Sequence, residues 1–220
     1  MSAQAPRAFV LANTILEAPA LLPELRLHLA SEVLPLWQAS EIALEAEGVP
    51  PPFWAFAWAG GQGLARHILD HPEIVKGRNV LDFASGSGVV AIAACMAGAR
   101  HVTANDIDPF ALAAITLNAA ANDVGLTVIS DDLVGRIDPA WAVVLAGDIC
   151  YEQAPAARFF AWLQALASAG AVVLLGDPGR SYLPKTGLER VNTYAVQTTR
   201  ELEDSDLRNA VVWRVLPAES

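Results

Sequence analysis

The stretch Val80-Leu81-Asp82-Phe83-Ala84-Ser85-Gly86-Ser87-Gly88 constrains this chain more than any other. An apolar run ends at Asp82, a turn of small residues follows, and Gly88 opens an apolar helical stretch over 89–97. The pattern predicts a strand, a tight turn and a helix start. Gly86 and Gly88 lack a Cβ, so the backbone there can turn sharply and approach a ligand closely. The first amides of a helix have no intrahelical partner and can face an anionic or polar group. Asp106 lies eighteen residues past Gly88, after a second short strand over 101–104. A carboxylate at that point can accept from both hydroxyls of a ribose.

Gly86-x-Gly88-x-x-Ala91 with a later acid fits a dinucleotide site. It also fits a ligand-free βαβ unit with a small-residue turn. Asp82, four residues before Gly86, separates the readings. Asp-x-x-x-Gly-x-Gly resembles motif I of the seven-strand methyltransferases that use S-adenosylmethionine. The resemblance implies that the early acid helps hold the ammonium-bearing amino-acid end of that cofactor. A pyrophosphate would gain nothing from a carboxylate there.

The 220 residues, 54% hydrophobic and 17% charged, suit one α/β domain with a full core. We expect a catalytic core over 51–220 and a helical extension over 1–50. No apolar run reaches the ~20 residues of a membrane span. Residues 1–9 carry one basic residue and no apolar core, so no secretory signal is expected. Cys95 and Cys150 lie far apart among apolar neighbours and read as buried small residues. The histidines at 28, 67, 71 and 101 show no metal spacing, so no metal is expected. The net charge of −10 opposes general binding to nucleic acid and is compatible with a lysine-bearing protein partner.

Residues 14–47 read as helical, with Leu25, Leu27, Leu29, Val33, Leu34, Leu36 and Trp37 as apolar mass and Pro35 as a break. They would cap the sheet or form a lid. In Pro50–Gly63 the alternation Trp54, Phe56, Trp58 puts three rings on one side if the segment is extended. Those rings would be core or the wall of a cofactor pocket, with Trp58 the ring expected to touch the ligand. Gly60 and Gly61 would precede a helix over 64–70. Alternating strands (79–83, 101–105, 126–130, 142–146, 171–175) and helices (89–97, 109–121, 155–167) then predict a parallel sheet with right-handed crossovers. Two last strands, 191–199 and 210–216, would pair like a hairpin at the sheet end. Ligands bind at the carboxyl ends of such strands, where Asp82, Asp106, Asp131 or Asp132, and Asp148 all fall.

The expected cofactor residues are Trp58, Asp82, Ser85, Gly86, Gly88, Asp106, Ile107, and Asp131 or Asp132. Either of the last two could accept from the adenine amino group, or both could be surface turn acids. Asp108, before Pro109, reads as a helix N-cap. In the methyltransferases that motif I resembles, the tip of the fourth strand faces the transferred methyl. Asp148, Tyr151 and Glu152 there would bind and aim a lysine, or would simply enter the next helix. Arg180 could pair with Asp177 or meet a substrate carboxylate.

The aromatic run Pro52-Phe53-Trp54-Ala55-Phe56-Ala57-Trp58-Ala59-Gly60-Gly61-Gln62, with Asn105-Asp106-Ile107-Asp108-Pro109, Gly147-Asp148-Ile149-Cys150-Tyr151-Glu152 and Gly176-Asp177-Pro178-Gly179-Arg180, closely resembles one family. It is the lysine methyltransferase of the electron transfer flavoprotein β subunit. The likeness spans residues 50–216 and implies a Rossmann-like seven-stranded class I methyltransferase sheet. It also implies S-adenosylmethionine as cofactor and the flavoprotein β subunit as partner, methylated beside its partner-recognition loop. Mitochondrial members carry a targeting peptide; none is evident here, so a bacterial, cytoplasmic relative is expected. Tyr151-Glu152 stands where mitochondrial members tend to have Tyr-Asp. The family is also similar to the methyltransferase of ribosomal protein L11, which makes ribosomal proteins alternative substrates. The rivals are a nicotinamide-dependent oxidoreductase and a non-catalytic binding module.

Overall fold

The computed structural model of the chain describes residues 4–30, 51–198 and 207–218. It begins with helix α1 (Gln4–Asn13) and a short antiparallel pair, β1 (Ile15–Glu17) and β2 (Leu27–Leu29). The expected helix over 14–47 is therefore not found in its first half. Leu25, Leu27 and Leu29 are all buried, a two-residue alternation that suits a strand and not a helix. The rest of that expectation falls in 31–50, outside the described residues.

Two asparagines hold this N-terminal piece down. Both lie on or just after helix α4 (Pro109–Ala121), which follows α2 (Ala59–Asp70) and α3 (Val89–Met96) in the chain. Asn118, fully buried, accepts from the His28 amide at 2.7 Å and donates to the Ser87 carbonyl at 2.8 Å. Asn122 accepts from Arg26 N and donates back to Arg26 O. Phe9 and Val10 of α1 pack with Phe110 and Trp54.

The central sheet has seven strands. In chain order they are β3 (Asn79–Phe83), β4 (His101–Asn105), β5 (Thr127–Ile129), β6 (Val143–Gly147), β7 (Val172–Asp177), β8 (Leu188–Gln197) and β9 (Leu207–Val215). Their spatial order is β5-β4-β3-β6-β7-β9-β8. The first five run parallel; β9 lies antiparallel to β7 and β8, so the sheet is mixed. Chain order reverses between β3 and β6, and the crevice at that switch point is where such sheets take ligands.

Both faces are covered. Val80, Val143, Leu145 and Leu174 face α2 and α3, which bring Leu64, Ile68 and Ile92. Leu81, Val144, Ala146 and Leu175 face the other way, toward Leu163 and Leu166 of α5 (Gln153–Ser168). Strands covered on both faces read as unbroken apolar runs. The expected caps are present. Asp108 accepts from Phe110 N at 2.8 Å with Pro109 in the first turn, and Gly98, at φ +85°, follows α3.

Two local expectations fail upstream of the sheet. Residues 53–55 form a 3₁₀ turn rather than an extended strand, so the three rings do not share a side. Trp54 is driven into the core, stacked on Phe110, while Trp58 stays half-buried. α2 begins at Ala59, not at 64, so Gly60 and Gly61 lie inside its first turn.

Candidate active site

The turn after β3 is built on left-handed backbone: Ala84 at φ +52°, Gly86 at +55° and Gly88 at +82°. Asp82, buried beneath it, accepts on Oδ2 from Ser85 Oγ and from the Ala91 amide at 3.0 Å. One carboxyl thus ties the turn to the first turn of α3. Burial pushes that carboxyl up to about 7, against the pull of both hydrogen bonds. A Cβ on Gly88 would meet Ile115 of α4 at 3.4 Å, an ordinary contact, so it is the backbone at φ +82° that calls for glycine there. Asp82, Ser85 and Gly88 therefore stand behind the turn, and Gly86 is the member that reaches the open side.

A cavity of about 390 Å³ opens at the carboxyl ends of the strands. Its lining includes Gly86, Asp106, Ile107, Asp131 and Asp132, and the rings of Phe53, Trp58 and Tyr151. Asp106 accepts from Gly86 N at 2.9 Å on Oδ2 and from Asp108 N at 3.0 Å on Oδ1. Burial still holds its carboxyl above the ordinary range. Ile107 is 73% exposed on the rim. Asp132 is taken up by Arg158 at 2.8 Å and by Val134 N at 3.1 Å, and the Arg158 bond lowers its carboxyl. The Asp131 side chain has no such partner among the described residues.

Asp148, also in the lining, sits 8% exposed at φ +57°. Its Oδ2 accepts from Gly61 N at 2.6 Å, and Gly60 N also donates to the carboxylate. Those amides belong to the first turn of α2, whose own N-cap, Trp58, supplies no side-chain cap. The carboxylate from β6 caps a helix 87 residues upstream and meets the positive end of its dipole. Oδ1 accepts from Arg180 Nη2 at 2.8 Å and Nε at 3.1 Å. The guanidinium carbon lies 5.4 Å from the centre of the Trp58 ring. Burial raises the Asp148 carboxyl and Arg180 opposes that rise. Asp177, the other partner considered for Arg180, accepts on Oδ1 from the backbone amides of Gly179 and Arg180, both at 2.7 Å.

The close fit of α2 on the strand tips requires glycine on both sides. A Cβ on Gly147 would lie 2.9 Å from Gly61 Cα. One on Gly176 would run into the Gly60 carbonyl and sit 2.8 Å from Leu64 Cβ.

The expected residues divide accordingly. Gly86, Asp106, Ile107, Asp131, Asp132, Trp58, Asp148 and Tyr151 come together around the cavity. Glu152 does not join them: it is exposed at the N-cap of α5, outside the lining. Phe53, in ring contact with Tyr151 at 5.2 Å and Trp58 at 6.2 Å, and Arg158 are lining residues that sequence reasoning missed. The paired Gly-Asp steps at 147–148 and 176–177 were the available signal for the glycine contact.

The lining suits S-adenosylmethionine. A Cβ on Gly86 would have only Trp54 Cα within 4 Å, at 4.0 Å, so glycine keeps that wall clear. The lining combines the Asp106 carboxylate with the aromatic rings of Phe53, Trp58 and Tyr151, a mostly apolar pocket with a few polar groups.

Comparison with known proteins places the chain in a lineage. A protein of Xenopus laevis named electron transfer flavoprotein beta subunit lysine methyltransferase is 36% identical over 222 positions, covering 98% of this chain and 89% of its own. The chain belongs to that family. The human member is 34% identical over 219 positions, covering 96% of this chain and 82% of its own. These relatives are vertebrate proteins and lend the expected bacterial, cytoplasmic setting no support. Among the described residues, no helix is long and apolar enough to cross a membrane.

The family model for ribosomal protein L11 methyltransferase (PrmA) matches residues 67–151. A protein of that name from Geobacillus thermodenitrificans is 33% identical, over only 52% of this chain. In fold, the chain is similar to a Pyrococcus horikoshii protein described as a putative RNA methyltransferase (TM-score 0.56, 14% identity, 76% of this chain and 89% of that one). It is also similar to magnesium protoporphyrin IX methyltransferase from Synechocystis with bound SAM (TM-score 0.51, 17% identity, 70% of this chain and 76% of that one). The seven-stranded methyltransferase sheet is thus the fold of this family member.

Proposed function

We propose that this chain is an S-adenosylmethionine-dependent methyltransferase that modifies lysine on the electron transfer flavoprotein β subunit. The observation that carries the reading is the mixed lining of a single cavity. It brings Gly86, Asp106 and Asp131 together with Asp148, Tyr151 and the rings of Phe53 and Trp58. Asp106 would accept from the ribose hydroxyls, and Asp131 rather than Asp132 would take the adenine amino group, because Arg158 occupies Asp132. Asp82 would act through the turn it anchors. When bound, the cofactor supplies an electrophilic methyl on a sulfonium. Phe53, Trp58 and Tyr151 would form an apolar mouth for the lysine stem, with position and water exclusion the main contributions to rate.

The test is transfer from labelled cofactor to purified flavoprotein β subunit, with the modified residue mapped by mass spectrometry. Ribosomal protein L11 serves as the competing substrate, because the PrmA model matches part of the chain. Methylated lysine on the flavoprotein supports the reading; label on L11 alone replaces it. Calorimetry with S-adenosylhomocysteine and with NAD separates it from an oxidoreductase, and absence of any transfer to a lysate would leave a binding module.

A further inference from the structure

We propose that Arg180 neutralises Asp148 so that the substrate lysine enters the site as a free amine. The inference rests on the lysine-methylation reading above. Lysine in water is an ammonium with a pKa of ~10.4 and has no lone pair to offer. In the reaction that lone pair forms the N–C bond while the S–C bond breaks and its electrons stay on sulfur. The ammonium proton must leave first, to water. An unpaired carboxylate at the mouth would oppose that loss, because an adjacent negative charge favours the charged lysine. Asp148 is where this conflict arises, and the structure resolves it.

The carboxylate is saturated. Arg180 donates twice to Oδ1, and the first-turn amides of α2 take Oδ2. Pair and helix dipole together leave no uncompensated charge for an ammonium to meet. Arg180 is itself fixed: its backbone amide is held by Asp177, and its guanidinium lies against Trp58. The side chains of the pair are only 19% and 10% exposed, so solvent screens it weakly.

The other charged groups around the cavity do not take over this task. Asp106 and Asp108, after β4, bond backbone amides. Asp131 and the Asp132–Arg158 pair stand after β5, and Asp177 at the end of β7 holds the loop that carries Arg180. Tyr151 and Glu152 follow Asp148 in the chain, with the Tyr151 phenol raised by burial. α2 contributes amides there and no titratable side chain in its first turn. Among the described lining residues the cations are Arg158 and Arg180, and only Arg180 meets Asp148.

Arg180→Met removes the charge and keeps bulk against Trp58. The lysine ammonium can then take the guanidinium's place at Asp148. Single-turnover transfer to the flavoprotein at saturating cofactor should show its rising pH limb displaced toward alkali by about 1–3 units. The loss should therefore be largest near neutral pH and shrink as pH rises. Arg180→Lys should return the limb toward wild type. S-adenosylhomocysteine affinity, measured by calorimetry, should be retained in both variants, which shows that the pocket is folded. In the unloaded protein, carbon NMR of the Asp148 carboxyl should show its pKa raised in Arg180→Met.

A methionine variant with the wild-type pH profile, or slowed equally at every pH, overturns the proposal. So does an Asp148 carboxyl whose titration does not move. A wild type that transfers nothing to the flavoprotein counts against the substrate reading, and the carboxyl titration then decides the pairing on its own.

Discussion

Replacing Gly60 by alanine sets a Cβ against the Gly176 carbonyl oxygen, far inside van der Waals contact, and 2.7 Å from Asp148 Oδ2. Neither neighbour is the free end of a flexible side chain. The oxygen belongs to the backbone of a central strand, and Asp148 is held by Arg180. The helix must therefore lift. Overpacking of this kind costs about 1–3 kcal/mol. Lifting also lengthens the 2.6 Å bond from Gly61 N to a buried carboxylate, and a hydrogen bond to a charged group is worth about 1.5–3 kcal/mol. Together they give about 2.5–6 kcal/mol, or roughly 5–24 °C in Tm for a chain of this length. Thermal melts should grade with the local space. At Gly61 a Cβ would meet Val89 Cγ1 at 3.3 Å, so alanine there should fall between. At Gly125 it would meet nothing within 4 Å, and the change should stay within about 0.5 kcal/mol. Methyl transfer at a temperature where Gly60→Ala is still folded should fall as well, because Asp148 moves with the helix. A Gly60→Ala protein that melts with the Gly125→Ala control would refute the account of how α2 is seated.

Asp106→Ala should weaken S-adenosylhomocysteine binding by about 100-fold by calorimetry, since a carboxylate accepting from two hydroxyls contributes about 3 kcal/mol, while circular dichroism shows a folded protein. Unchanged affinity would remove the ribose assignment. Asp82 gives a pH dependence of stability. Burial pushes its carboxyl from the ordinary 3.8 up to about 7, so between those values the folded protein holds a proton there that the unfolded chain has released. Stability from this group is fully present at low pH and is lost as pH rises toward about 7; Asp82→Asn should flatten that part of the dependence of Tm on pH. Asp148→Asn should cut methyl transfer and lower Tm, because removing one partner of a buried ion pair costs about 3–5 kcal/mol, with S-adenosylhomocysteine binding retained. Equal loss of binding would move Asp148 into the cofactor site.

The parallel core was legible because burial on both faces writes each strand as an apolar run with a turn signal after it. Val80–Phe83 and His101–Asn105 fall where the sequence places them. The caps at Asp108 and Gly98 were legible too, because they depend on residues a few positions apart. The start of α2 was not. Gly-Gly is a poor helix opening by propensity, and the carboxylate that caps it comes from another strand 87 residues on. Separation along the chain also hid the role of Arg180, whose partner Asp148 lies 32 residues away. Trp54 and Trp58 were misread as one stripe, because the 3₁₀ turn at 53–55 rotates Trp54 inward onto Phe110. In the N-terminal piece, leucine mass outweighed the alternation of Leu25, Leu27 and Leu29, and a helix was inferred where a strand forms.

Asn118 joins two regions that are far apart in the chain. One amide side chain holds β2 through His28 and the glycine turn through Ser87, and it is sealed from water. Residues 4–30 thereby buttress the glycine turn after β3 and are not an appendage to it. Trimming the chain to its sheet would leave Asn118 with an unanswered polar atom beneath the loop that must stay rigid. A working enzyme of this design accordingly needs chain well upstream of the turn at Gly86.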